Sequence, residues 1–371
     1  MFTFLLGIAL AVQLGPIAPD SPAREPQMAA NGSTIALAFG AGKGIYFSTS
    51  VDGGRNFSAP RKIAEAEIVP LTRHRGPRIA FSGQTIVITA VAGRTPAEGQ
   101  HAHGLPSDGD LIAWRSVDGG RNWSKGVLVN DAPGAPTEGL HSLAADAKGT
   151  LFAAWLDKRG GHGTRLYGAR STDGGATWSK NAMIYQSAEG TICECCHPSV
   201  AMDAGGQIVV MWRNWLAGSR DMYLTRSADG VTFSRPEKLG SGTWPLNACP
   251  MDGGGLAVSG NRILTAWRRG ENVFLAEPGR PETQIGTGKD VALALGGDRT
   301  YVIWTNGTAI ESWAGGRIEV LSKTGAFPAL VSLPHGGVLA AWEESGGIQI
   351  RRLEETRTTA VAANLWPGKA K

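Results

Sequence analysis

The sequence predicts an all-β propeller built from four-stranded blades. Three observations carry that expectation: the composition, a short turn motif that occurs four times, and an apolar strand that recurs along the chain. The 371 residues include 52 Gly and 12 Trp, and only 18% are charged. Such a mix suits short strands joined by tight turns better than helices or disorder. A chain of this length ordinarily divides into two or three domains, but a repeat period overrides that prior.

The turn motif reads Ser50-Val-Asp52-Gly-Gly54-Arg-Asn-Phe57, then Ser116-Val-Asp118-Gly-Gly120-Arg-Asn-Trp123. Two further copies are Ser171-Thr-Asp173-Gly-Gly175-Ala-Thr-Trp178 and the shorter Ser227-Ala-Asp229-Gly230-Val-Thr-Phe233. Its physics is local. The Ser and Asp side chains bond the turn's own backbone, Gly accepts positive φ, and the aromatic folds back onto the hairpin. Asp52, Asp118, Asp173 and Asp229 are therefore read as structural.

The recurring strand ends in Trp at Leu151–Trp155, Ile208–Trp212, Ile263–Trp267, Tyr301–Trp304 and Val338–Trp342, with fainter copies at Thr34–Phe39 and Thr85–Val91. A short strand precedes each copy, as in Pro198–Asp203 and Pro328–Leu333. A third runs into the Asp turn, as in Tyr223–Ser227, and a fourth follows it, as in Val127–Asn130. This gives seven units of about 37 to 66 residues, a period that with four strands each reads as a propeller. The first unit is faint, so a count of six stays open.

These turns resemble the Asp-box (BNR) repeats of the sialidase superfamily, and the repeat pattern spreads the resemblance over nearly the whole chain after its first residues. The resemblance implies an exported, bacterial, sialidase-like propeller, although a fold does not fix a function. In such propellers the Asp boxes join strands C and D on one face. The active site lies on the other, formed by the B–C loops and the D–A connections. Six of the seven histidines are expected on that second face: His74, His101, His103, His141, His162 and His197. Only His335 falls in an A–B turn. All four cysteines are expected in D–A connections on the same face.

The N-terminal run Met1-Phe-Thr-Phe-Leu-Leu-Gly-Ile-Ala-Leu-Ala-Val12 is too short to span a bilayer, which needs about 20 residues. It reads as the apolar part of an export signal over residues 1–23, followed by one propeller domain over 24–371. That places the protein in the periplasm or outside the cell, where cysteines pair or bind metal. No other segment suggests a membrane span. The net charge of +4 is diffuse and forms no nucleic-acid-binding stripe.

The densest chemistry is Cys193-Glu-Cys195-Cys196-His197-Pro198, with Cys249 at the matching point of the next repeat. Four readings compete. One is disulfide stapling between adjacent blades. Another is a soft-metal site for copper or zinc, using Cys193, Cys195, Cys196 and Cys249 with His197 or His141. Haem c attachment through C-x-x-C-H is opposed by the intervening cysteine and by Pro198. The last is a reactive thiolate beside His197.

For a sialidase the resemblance implies an arginine triad for a substrate carboxylate, an Asp acid/base, and a Tyr nucleophile paired with Glu. Arg75, Arg78, Arg213 and Arg268 are the substrate-binding candidates, with Arg73 nearby. Asp157, Glu194 and Tyr185 are the catalytic candidates, and Glu138 and Glu189 are further carboxylates. Tyr46, Tyr167, Tyr223 and Tyr301 fall within strands, away from the rim. The leading expectation is a monomeric binding protein for a soft metal, or for a ligand at the channel mouth ringed by Arg, Trp215 and Trp244. The alternatives are an exo-sialidase-like glycoside hydrolase and a non-catalytic propeller that binds a protein partner or glycan on this face.

Overall fold

The computed structural model describes residues 11–97 and 104–353. They form seven antiparallel four-stranded sheets, so the count of seven stands. Blade 1 comprises Arg24–Asn31, Thr34–Ala41, Gly44–Ser50 and Arg61–Glu65 as its strands A to D. Blade 2 comprises Arg78–Ser82, Thr85–Ala92, Asp110–Ser116 and Val127–Leu128. Blade 3 comprises His141–Ala145, Leu151–Asp157, Arg165–Ser171 and Ala182–Tyr185. Blade 4 comprises Ser199–Met202, Ile208–Arg213, Met222–Ser227 and Glu237–Lys238. Blade 5 comprises Gly254–Ser259, Arg262–Arg269, Asn272–Ala276 and Thr283–Thr287. Blade 6 comprises Lys289–Gly296, Arg299–Asn306, Ala309–Ala314 and Arg317–Ser322. Blade 7 takes Ala326–Ser332, Val338–Glu344 and Gly347–Leu353, and its outer strand is Val12–Leu14 from the other end of the chain.

That last pairing closes the ring. Val12–Leu14 lies inside the stretch expected as an export signal, and Leu14 joins the core between blades 7 and 1. Residues 1–10 lie outside the described residues, as do His101 and His103.

Alternation along each B strand explains why it is apolar throughout. Leu151, Ala153 and Trp155 face blade 2, while Phe152, Ala154 and Leu156 face blade 4. A strand buried on both faces has no side left for polar residues. Trp155, Trp212 and Trp304 are fully buried.

The Asp boxes stitch neighbouring blades together. In blade 2, Asp118 Oδ1 accepts the backbone amides of Arg121 and Asn122, and Ser116 Oγ accepts that of Gly120. Backbone and side-chain bonds from Asn122, with one from the Ser116 hydroxyl, hold the Asp118 carboxyl at about 2. Gly120, at φ +88, packs onto Phe47 of blade 1, and a Cβ there would sit 2.2 Å from Phe47 Cε1. Gly54, Gly175 and Gly230 press in the same way on Leu339, Val87 and Phe152 of the preceding blades. Gly120→Ala therefore combines left-handed strain with a blade–blade clash. The expected loss is about 2 to 4 kcal/mol of stability, read from a denaturant midpoint.

Candidate functional site

The D–A connections and B–C loops crowd the face opposite the Asp boxes, and two clusters form there. The first is a thiol trio in the connection between blades 3 and 4. Cys193, Cys195 and Cys196 are buried, with Sγ–Sγ distances of 3.1 Å (193–196), 3.8 Å (193–195) and 4.0 Å (195–196). Arg220 Nη1 donates to Cys193 Sγ at 3.2 Å. Hydrogen bonds from the Cys195 and Cys196 thiols, helped by the Arg213 and Arg220 charges, hold Cys193 down at about 3. The bond to Cys193 pushes Cys195 upward, and burial does the same to Cys196. All four cysteines of the chain are free.

A frame of arginines holds this cluster. Arg213, at 1% exposure, ends strand B of blade 4. Its Nε donates to Asp252 O (3.0 Å), its Nη1 to Arg220 O (2.9 Å), and its Nη2 to Arg268 O (3.0 Å) and Gly253 O (3.4 Å). Its own carbonyl accepts Cys193 N at 3.2 Å. Arg268 Nη2 donates to Pro250 O at 2.9 Å, and its Nε lies 2.9 Å from Asp252 Oδ2 without the alignment of a hydrogen bond. Both guanidiniums lie near the Trp244 ring, and Arg220 lies near Trp215.

The second cluster caps the central channel. β-Bulges at the start of strand A in blades 1, 6 and 7 put Glu25, Asp290 and Phe327 at φ +54, +58 and +49. All three converge on His74, itself at φ +66 in the connection between blades 1 and 2. Its amide donates to Glu25 Oε1 at 2.9 Å, its Nε2 lies 2.9 Å from Asp290 Oδ1, and its ring meets Phe327 edge-on. Asp252 Oδ2 accepts Asp290 N at 3.2 Å, and its Oδ1 has no partner. His74, Asp252 and Asp290 bring their ligand atoms within 4.8 Å of one another. Beneath them, His74, Arg78 and His197 line a cavity of about 230 Å³ along the A strands.

Electrostatics at this mouth is divided. Burial pushes the Glu25 carboxyl up to about 7. Burial lowers His74, but the hydrogen bond and charge of Asp290 outweigh it, so the imidazole is held above its ordinary range. Burial and the His74 charge depress His197. Burial and Asp290 raise Asp252, whereas His74 keeps Asp290 low despite burial.

The other sequence candidates have separate placements. The His197 ring lies tilted against that of His74, with centroids 4.5 Å apart. His141 Nε2 lies 3.0 Å from Thr89 Oγ1, and burial lowers its pKa to about 3. Cys249 is exposed. None of these three joins the cluster formed by the three thiols. Arg78 spends its guanidinium on the carbonyls of Gly76, Pro77 and His74, and Arg75 on Glu138. With Arg213 and Arg268 also bound to carbonyls, the four arginines do not form a convergent triad. Asp157 is fully buried, bonded to Trp155 Nε1 and Arg159. Tyr185 Oη accepts Asn214 Nδ2, and Glu194 accepts Thr191 Oγ1. Glu138 pairs with Lys158, and Glu189 accepts the Ala217 amide.

Sequence reasoning missed Glu25, Asp252, Asp290, Arg220 and Met251, and it gave His74 no role. Met251 lies two residues beyond Cys249, also at positive φ, and packs against the thiol trio. Its proximity to Cys249 in sequence was the one available signal.

Residues 44–245 match the BNR repeat-like domain, more than half of the chain. The chain belongs to this BNR repeat-like family. No curated protein matches it. Among solved structures, the BNR propeller is similar to a protein of unknown function from Dyadobacter fermentans (TM-score 0.57, 16% identity, 92% of this chain and 97% of that one). It is also similar to the leech intramolecular trans-sialidase (0.54, 12%, 90% and 68%). A third is the Penicillium chrysogenum α-L-arabinanase complexed with arabinobiose (0.54, 14%, 93% and 97%). At these identities the likeness is one of fold.

The raised Glu25 sets a pH test. A folded-state pKa of about 7 against an ordinary 4.5 gives a stabilising term that is fully present below about 4.5. It disappears as pH rises through about 7. Glu25→Gln removes this term, so wild type should lose up to about 3 kcal/mol relative to the variant between pH 5 and pH 8. Urea midpoints of both proteins at the two pH values measure it.

Proposed function

We propose that the protein is an exported propeller that binds a soft metal ion, copper or zinc, through Cys193, Cys195 and Cys196. The observation that carries the reading is the buried thiol triangle with the Arg220 guanidinium on Cys193 Sγ. Three sulfurs each about 2.3 Å from a shared ion would stand about 3.8 to 4.0 Å apart. Two edges of the triangle already have that length, and the 3.1 Å edge would have to open. Thiolates are the donors that soft ions prefer. Export to the periplasm or the exterior, a monomeric state, and a small ligand or partner on the same face complete the proposal.

Titration of the reduced full chain with copper(I) and with zinc(II), followed by thiolate-to-metal absorption and elemental analysis, should give about one ion per chain. The Cys193→Ser/Cys196→Ser double variant should lose it. Binding of neither ion by protein with all thiols titratable overturns the reading.

Glycoside hydrolysis is the second reading. It is favoured by the fold likeness and by two carboxylates at the channel mouth, Glu25 held high and Asp290 held low, as acid/base pairs often are. Hydrolysis of aryl sialosides or aryl arabinosides that survives Cys193→Ser but fails in Asp290→Asn would support it. No turnover of either substrate class by wild type removes it.

A further inference from the structure

We propose that the Met251 thioether completes the thiol site and that the resulting all-sulfur donor set selects copper(I) over zinc(II). The proposal rests on the soft-metal reading above and specifies its ion.

Met251 belongs to the connection between blades 4 and 5, far in sequence from the trio. Its backbone sits at φ +54, a conformation that non-glycine residues seldom adopt. The carbonyls on both sides of it are held. Arg268 Nη2 donates to Pro250 O at 2.9 Å, and Arg213 Nε donates to Asp252 O at 3.0 Å. Strain maintained by two guanidiniums at the functional face is a built feature, not a loose turn. Its outcome is that the half-buried Met251 side chain packs against the cluster of Cys193, Cys195 and Cys196.

Packing alone would be served by Leu. The thioether adds a soft acceptor, and Sδ already receives Arg73 Nη1 at 2.9 Å. The described imidazoles, which zinc commonly takes, stand outside the group of ligand atoms that the three thiols form. The His197 ring lies tilted against His74, and Gly253, lacking a Cβ, lets that ring lie against the backbone. His141 bonds Thr89. The Glu194 carboxylate is exposed and engaged by Thr191. Among the described residues, the donors grouped at the trio are sulfur alone. Thiolate with thioether suits copper(I), whereas zinc sites draw on Cys, His and carboxylate. Three thiolates around a monovalent ion leave two negative charges, and Arg213 and Arg220 stand beside the trio to offset them.

The test compares wild type, Met251→Leu, and the exposed-site control Met183→Leu as reduced full-length protein. Copper(I) affinity is measured by competition with a chromogenic bidentate chelator, zinc(II) affinity with a fluorescent one. Met251→Leu should weaken copper(I) by at least about tenfold and leave zinc(II) within about twofold. X-ray absorption of the copper form should show one fewer sulfur neighbour in that variant. The control should match wild type in both affinities, and equal melting temperatures would show that packing is intact. Unchanged copper(I) affinity in Met251→Leu overturns this inference and leaves the thiol site standing. Equal weakening for both ions also overturns it, because it marks Met251 as packing only. Failure of wild type to bind either ion overturns the underlying reading instead.

Discussion

The functional face depends on where the Arg213 charge goes. A guanidinium at 1% exposure is tolerable only if every donor finds an acceptor. Arg213 finds four carbonyls, on Arg220, Asp252, Gly253 and Arg268, while its own carbonyl takes the Cys193 amide. One side chain thereby ties the end of a blade 4 strand to the segment carrying the thiols and to the segment carrying Met251. Lysine could not replace it, because a single ammonium lacks the planar fork that spans several carbonyls. This also accounts for the missing arginine triad. Guanidiniums whose position suggested substrate recognition are consumed in holding backbone, and Trp244 shields two of them.

The channel mouth follows a different logic. Bulges in three blades rotate Glu25, Asp290 and Phe327 out of the strand pattern and onto His74. Bulges re-aim side chains at the rims of closed sheets, at the cost of local strain. Neighbouring groups of opposite preference then settle one another's protonation. His74 gains from Asp290, while Glu25 stays high because burial outweighs its cationic neighbours.

Both clusters need a rigid base, and the Asp boxes supply it from the far side. Their bonds are confined to a few successive residues, and one glycine in each box presses on the blade before it. Stiffness on one face leaves the connections on the other free to carry polar and thiol groups without loosening the ring. The outer strand Val12–Leu14 extends the same economy to the closure of the ring, since it pairs the two ends of the described chain.

The sequence by itself determined the four-strand repeat and the turn-bonding role of Asp52, Asp118, Asp173 and Asp229, whereas ring closure settled the count at seven and gave blade 7 an outer strand from the other end of the chain. The sequence also brought out the thiol trio. Each feature legible there is written in short-range pattern: period-two burial, a turn that bonds itself, three cysteines within four residues. Tertiary structure alone decided which groups join them. His74 meets Asp290 across 216 positions of sequence and Arg73 meets Met251 across 178, pairings that exist only once the ring has closed. Local sequence preference likewise argues against the positive φ of Glu25, Met251 and Asp290. Hydrogen-bonded turns and alternating burial are local and legible, whereas the site is assembled by closure, which no neighbouring residue encodes.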